Sequence, residues 1–231
     1  MFLYNTADIT TRRGIKCLVY GPPKVGKTRL CASAPAPVIF SAEGGMLSLR
    51  TFNLPYAEIK SISDLQQAYY WASSAAEARQ FQTICLDSIS EIIEQLLEAE
   101  KAKTRDPRKA YGEIVTQGLK IMRDFRDNLP SHHVVLIAKQ EWAKDETTGM
   151  MYFQPSFPGQ KLGPAVPYYP DEIFQYCVFT NMQTKQRVEA LRTWADQNNI
   201  AGDRSGALDE FEPPNLAHIF AKIQSGHVAK H

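Results

Sequence analysis

Ile15-Lys16-Cys17-Leu18-Val19-Tyr20, then Gly21-Pro22-Pro23-Lys24-Val25-Gly26-Lys27-Thr28, then Arg29-Leu30-Cys31-Ala32, is the stretch that decides the fold. A short apolar β-type run leads into a glycine-rich turn, and a first helical turn follows. The middle reads G-x-x-x-x-G-K-T, a phosphate-binding loop, and strand–loop–helix is the setting that motif requires. Successive backbone N–H groups curl round phosphates at a helix N-terminus, where unpaired donors and the macrodipole favour an anion. Gly21 and Gly26 let the backbone approach where a Cβ would obstruct. Lys27 is expected to contact the β- and γ-phosphates of ATP, Thr28 to ligate Mg²⁺, and Gly21 through Arg29 to enclose the nucleotide. The bland alternative is a chance loop with a solvated lysine, which leaves the flanking strand and helix without a purpose.

The chain has 231 residues, 44% of them hydrophobic and 22% charged, with a formal net charge of +1. This fits one globular domain over 14–231, with 1–13 as an N-terminal segment or docking arm. A neutral balance gives no overall electrostatic case for nucleic acid, so any such site must be a local patch. No apolar run of about 18 residues predicts a membrane span. Residues 1–8 lack the basic region and apolar core of a signal peptide. Cys17, Cys31, Cys85 and Cys177 lie far apart, and three of them sit in apolar strand-like runs. They read as buried thiols of a cytoplasmic protein. No Cys/His spacing suggests zinc.

Outward from the loop, strands alternate with helical patterns. Strands are expected at 37–41, 81–86 and 134–138. Helices are expected at 64–79, from Ile89 through the Ile92, Ile93, Leu96, Leu97 stripe, and at 111–127. Alternating β and α with strands apolar throughout implies a mostly parallel sheet covered on both faces. The last third differs. It reads as a hairpin over 141–154 turning at 145–149, a Pro/Gly loop over 157–170, and an antiparallel pair at 175–179 and 187–195. A polar loop follows over 198–214, then a helix capped by Asn215. The fold class is therefore α/β with a C-terminal antiparallel extension.

Asp87 ends the apolar strand Phe81–Leu86, where a carboxylate holds the Mg²⁺ shell beside a phosphate loop. Asp87 or Ser88 serves equally as an N-cap for the next helix. Glu43 follows the second strand in Ser41-Ala42-Glu43-Gly44-Gly45. A carboxylate there could polarise the water that attacks the γ-phosphate, or it could be a turn residue in solvent. Gln140 follows the strand Val134–Ala138. Its amide could sense the γ-phosphate and bias the loop beyond it, or simply face water.

Four segments in order resemble the RecA-like recombinase ATPase core of the P-loop NTPases: the phosphate loop; Val38-Ile39-Phe40-Ser41-Ala42-Glu43-Gly44-Gly45; Thr83-Ile84-Cys85-Leu86-Asp87-Ser88; and Val134-Val135-Leu136-Ile137-Ala138-Lys139-Gln140. The likeness extends to the AAA-type phage nucleotide-binding proteins that include the Sak-type single-strand annealing ATPases. It rests there on Phe157-Pro158-Gly159-Gln160-Lys161, Tyr168-Tyr169-Pro170-Asp171-Glu172 and Asp203-Arg204-Ser205-Gly206. The resemblance implies catalytic roles for Lys27, Glu43 and Gln140, metal binding by Thr28 and Asp87, and ATP with Mg²⁺ as cofactors. Lys139-Gln140 departs from the family's usual Asn-Gln. The long N-terminal oligomerisation domain of full-length recombinases has no counterpart in 1–13, so a ring is as open as a filament for the expected homo-oligomer.

By position in that family, two loops would meet single-stranded DNA. The first maps to 101–109, where Lys101, Lys103, Arg105, Arg108 and Lys109 place five basic residues in nine. A solvated helix C-terminus explains the same run. The second lies between Gln140 and Pro167 and carries Trp142, Tyr152, Phe153, Phe157, Lys144 and Lys161; aromatics with lysines stack bases and hold phosphates, or pack inward in a hairpin. Arg204 is the candidate for completing a neighbour's active site, with Arg192 second. The implied activity is an Mg-dependent ATPase of phage recombination or annealing, with a single-strand-binding protein as a further partner. The alternatives are a loader of a protein partner and, third, a small-molecule phosphotransferase.

Overall fold

The computed structural model describes Leu3, Asn5 and residues 13–226. Apart from Leu3, Asn5 and Arg13, the expected docking arm lies outside the described residues. Strand β1 (Lys16–Gly21) runs into the phosphate loop and helix α1 (Lys27–Cys31). Strands β2 (Pro37–Ser41) and β3 (Tyr56–Glu58) precede helix α2 (Ile62–Ser74). Strand β4 (Thr83–Asp87) leads to α3 (Ile89–Lys103) and α4 (Pro107–Asp127). Strands β5 (His133–Lys144) and β6 (Met151–Pro155) form a hairpin, followed by the short α5 (Leu162–Ala165). Then come β7 (Glu172–Thr180), β8 (Arg187–Arg192), β9 (Gly202–Asp203), β10 (Phe211–Glu212) and α6 (Leu216–Gln224).

One sheet carries these strands in the order β10-β8-β7-β1-β5-β4-β2-β3, with β6 on β5 and β9 on β7. From β7 to β3 every neighbour is parallel. The antiparallel additions are β8 on β7, β10 on β8, β6 on β5 and β9 on β7. This is the expected α/β core with an antiparallel extension. Strands β1, β2 and β4 are buried along their whole length, as a sheet covered on both faces demands. Leu18 and Tyr20 of β1 pack with the apolar stripes of α2, α3 and α4 on one face. Cys17 and Val19 pack with Leu30, Cys31, Ile219 and Phe220 of α1 and α6 on the other. Cys17, Cys31, Cys85 and Cys177 are free thiols.

The element reading needs four corrections. The helix expected to reach residue 79 ends at Ser74, because the Ser73 and Ser74 hydroxyls both donate to the Tyr70 carbonyl and Ala75 turns extended (ψ 140°). A short 3₁₀ turn follows over Ala76–Gln80. Strand β3 was not expected; it is three exposed residues at the sheet edge. The loop at 157–170 contains α5 and a 3₁₀ turn, because Leu162 and Val166 are fully buried against the core. Finally, the polar loop at 198–214 contributes β9 and β10 to the sheet.

Candidate functional site

The phosphate loop leaves β1 at Gly21 and enters α1 through Gly26, which caps the helix at φ 119°. Gly26 is confined as well as twisted: a Cβ there would meet the Tyr176 hydroxyl at 2.9 Å. Lys27 Nζ donates to the loop's own Gly21 and Pro22 carbonyls at 2.7 and 2.8 Å. Burial lowers its pKa below the ordinary lysine value, and the carboxylates of Glu43 and Asp87 oppose that. The ammonium thus bridges two carbonyls of its own loop and has no acidic hydrogen-bond partner within it.

Thr28 Oγ1 donates to Asp87 Oδ2 at 2.6 Å. Two strands, β1 and β4, deliver these residues to the same end of the sheet, with β5 between them. Asp87 is buried. Desolvation raises its pKa to about 6; the Thr28 hydrogen bond and Lys27 pull it down, and Glu43 pushes it up. A hydroxyl and a carboxylate in contact are hard oxygen donors that suit Mg²⁺, which is commonly held by one or two protein ligands plus nucleotide phosphates. Among the described residues no group of three or more His, Cys, Asp or Glu side chains could hold a metal ion alone.

Glu43 leaves β2 and turns back over β4: the Ala42 N–H donates to the Asp87 carbonyl at 2.6 Å. Its Oε1 accepts the Ser88 hydroxyl in a short hydrogen bond. Ser88 Oγ also accepts the Glu91 N–H at 3.3 Å, so Ser88, not Asp87, caps α3. That divides the two readings between neighbours and leaves Asp87 facing Thr28. Gln140 Oε1 accepts from Gln175 Nε2 at 3.2 Å, across β1 from strand to strand. Lys139 beside it is paired with Glu91 and Glu94 on α3 at 2.8 and 2.7 Å.

Gly21, Lys24, Lys27, Thr28, Glu43, Asp87 and Gln140 all line one cleft of about 1260 Å³ at the C-terminal end of the parallel strands. The sequence reading missed several lining residues: Phe52, Lys139, Tyr176, Arg187 and Glu189. Apart from Lys139, which stands beside Gln140, none lies in a motif; they reach the cleft by strand pairing and turns. Arg204 is elsewhere. It pairs with Asp171 at 3.2 Å, and β9 joins β7 at Glu172, the end opposite the phosphate loop. It therefore does not line its own chain's cleft. Arg192 is held by Asp196 and Glu210 at 2.8 and 3.1 Å and lies over the Phe211 ring.

The basic run is not a loop but a corner between α3 and α4. Lys101 and Lys103 belong to the last turn of α3, and Arg108 and Lys109 to the first turn of α4, where Asp106 accepts the Arg108 N–H. Lys103 pairs with Glu100 at 2.6 Å, and Lys101 lies over the Tyr111 ring. Arg105, Arg108 and Lys109 are exposed. In the second segment Trp142 is 54% exposed and packs on Phe153, whereas Phe157 is buried.

A phosphate loop on the central strand, an acidic strand end beside it and a glutamate facing both define a P-loop ATPase. Residues 13–205 match the family model described as an AAA domain, and the chain belongs to that family. No curated protein matches the sequence. Among solved structures the chain is similar to a KaiC-like protein of Pyrococcus horikoshii, at 13% identity over 78% of this chain and 79% of that one, TM-score 0.45. It is similar to the RadB recombinase at 16% identity, over 78% and 81%, TM-score 0.47. The flagellar accessory protein FlaH of Methanocaldococcus jannaschii matches at 10% identity over 83% and 84%, TM-score 0.40.

Proposed function

We propose that this ATPase binds ATP with Mg²⁺ and uses its hydrolysis to act on single-stranded DNA in recombination or annealing, as a phage-encoded homo-oligomer. Lys27 exchanges the Gly21 and Pro22 carbonyls for the β- and γ-phosphates. Thr28 and Asp87 would hold Mg²⁺, which supplies charge neutralisation at the phosphates. Glu43 leaves Ser88 and takes a proton from a water molecule whose oxygen attacks the γ-phosphorus. The bond to the β–γ bridging oxygen breaks, and ADP and phosphate leave. Gln140 turns its Nε2 to donate to a γ-phosphate oxygen, which disturbs the bond its Oε1 accepts from Gln175, so nucleotide state is passed to the β5–β6 hairpin.

One contact supports the choice of DNA. Tyr111, which carries Lys101 on its ring, packs against Gly159: a Cβ at Gly159 would lie 3.1 Å from it. The basic corner therefore adjoins the Gly159 turn of the segment between Gln140 and Pro167, and lysines and arginines close to a segment that carries the exposed Trp142 are what a single strand's phosphates and bases require. ATPase assays with and without single-stranded DNA test the reading. Stimulation by DNA supports it, and a rate indifferent to DNA with no DNA binding at low salt overturns it. A protein-loading role is the second reading. Its support is the exposed apolar set Val178, Phe179 and Met182 around the β7–β8 turn.

A further inference from the structure

We infer that Tyr176 and Glu189, outside the phosphate-loop motif, form a brace that sets the position of Gly26 and through it the affinity for nucleotide. This rests on the nucleotide-binding reading of the cleft. Tyr176 lies in β7 beside β1, and its backbone and Cβ approach Gly21 so closely that a Cβ there would sit 3.0 Å from each. Its ring then runs under the loop to Gly26. One side chain thus touches both motif glycines, at the start of the loop and at the helix cap.

The hydroxyl decides where that ring rests. Tyr176 as a whole is only 4% exposed, and its part-buried hydroxyl donates to Glu189 Oε2 at 2.9 Å. The two strands pair Tyr176 with Leu191 and Val178 with Glu189, so Tyr176 and Glu189 are diagonal neighbours on one face, within reach of long side chains. The other carboxylate oxygen takes the Arg187 guanidinium at 3.0 Å. A bare carboxylate lining a cleft for a polyanion would repel it. Here both oxygens are engaged, and Arg187 offsets the charge. Burial, reinforced by Glu189, holds the phenol well above its ordinary pKa, so it remains a donor. Gly26 precedes the first N–H groups of α1, which would face the phosphates of a bound nucleotide. A ring free to tilt would move that cradle.

The test uses fluorescent-ATP titration and steady-state kinetics on the full chain, with Tyr176→Phe, Glu189→Ala, Glu189→Gln and the Tyr176→Phe/Glu189→Ala double variant. Tyr176→Phe and Glu189→Ala should each weaken ATP binding about three- to tenfold, the range of an ordinary intramolecular hydrogen bond, with the loss falling on KM more than on kcat. Glu189→Gln keeps an acceptor oxygen and should restore affinity toward wild type. The double variant should be no weaker than either single one, because both remove the same bond. Additive losses, or unchanged affinity in both single variants while the wild type binds ATP, overturn the brace. Tighter binding in both Glu189 variants also overturns it, since Glu189 would then act only as a repelling charge. A wild type that does not bind ATP overturns the nucleotide reading itself.

Discussion

At Lys27 the ammonium is hydrogen-bonded only by carbonyls of its own loop, so its loss leaves no hydrogen-bonded charged partner stranded. Lys27→Ala should remove ATP binding and shift the melting temperature by no more than a few degrees; calorimetry and a melting curve on one sample check both. Glu43→Gln keeps the Ser88 hydrogen bond but cannot take a proton from water. ATP should still bind while turnover falls about 10²-fold or more, and turnover near wild type would reduce Glu43 to a turn residue. A buried carboxyl far from the cleft gives a pH test. Glu172 is 1% exposed, and burial first, then Asp203, raise its pKa to about 9. The folded state therefore holds a proton that the unfolded state releases from about pH 4.5 upward. Its stabilisation is complete below that pH and is lost as pH rises towards 9. Glu172→Gln mimics the protonated form, so its melting temperature should match wild type near pH 4.5 and exceed it progressively up to pH 9. A pH-independent difference would refute this. Thr28, Glu43, Asp87 and Gln140 were legible in the sequence because each sits a fixed step beyond a strand or inside a motif. Tyr176 and Glu189 were not, because what matters is their diagonal pairing across β7 and β8, which no spacing encodes.

Elements were legible where burial is continuous. Strand β2 falls at 37–41 as expected because all five residues are covered. Strand β3 escaped because three exposed residues carry no apolar period. The basic run illustrates the limit: composition showed the charge, but Asp106 capping α4 turns a supposed loop into a rigid corner. That geometry fixes where Arg105, Arg108 and Lys109 project. Neutralising them with Lys101 and Lys103 should weaken single-strand binding and lower the magnitude of the log K against log salt slope, by about 0.7 for each phosphate that is no longer neutralised. An unaltered slope would move DNA to another surface. The β5–β6 hairpin gives a related case: its turn was legible from Asp145 to Gly149, but not that Trp142 would stay half in solvent while Phe157 went inward.

At the scale of the whole molecule, the cleft opens at one end of the sheet and Arg204 stands at the other. If Arg204 completes a neighbour's site, subunits must stack with opposite ends in contact. Arg204→Ala and Lys27→Ala chains should then each be inactive alone, and mixing them should recover part of the ATPase rate. Full activity in assembled Arg204→Ala would remove the trans role and leave Arg187, already at the cleft, as the cation to examine next.

Every polar group that reads as catalytic is at present satisfied by its own chain: Lys27 by two carbonyls, Thr28 by Asp87, Glu43 by Ser88 and Gln140 by Gln175. Nucleotide binding would therefore replace one set of partners by another. The four side chains that would meet a nucleotide thus carry internal partners of their own, and the cost of breaking those contacts is part of any affinity the cleft shows.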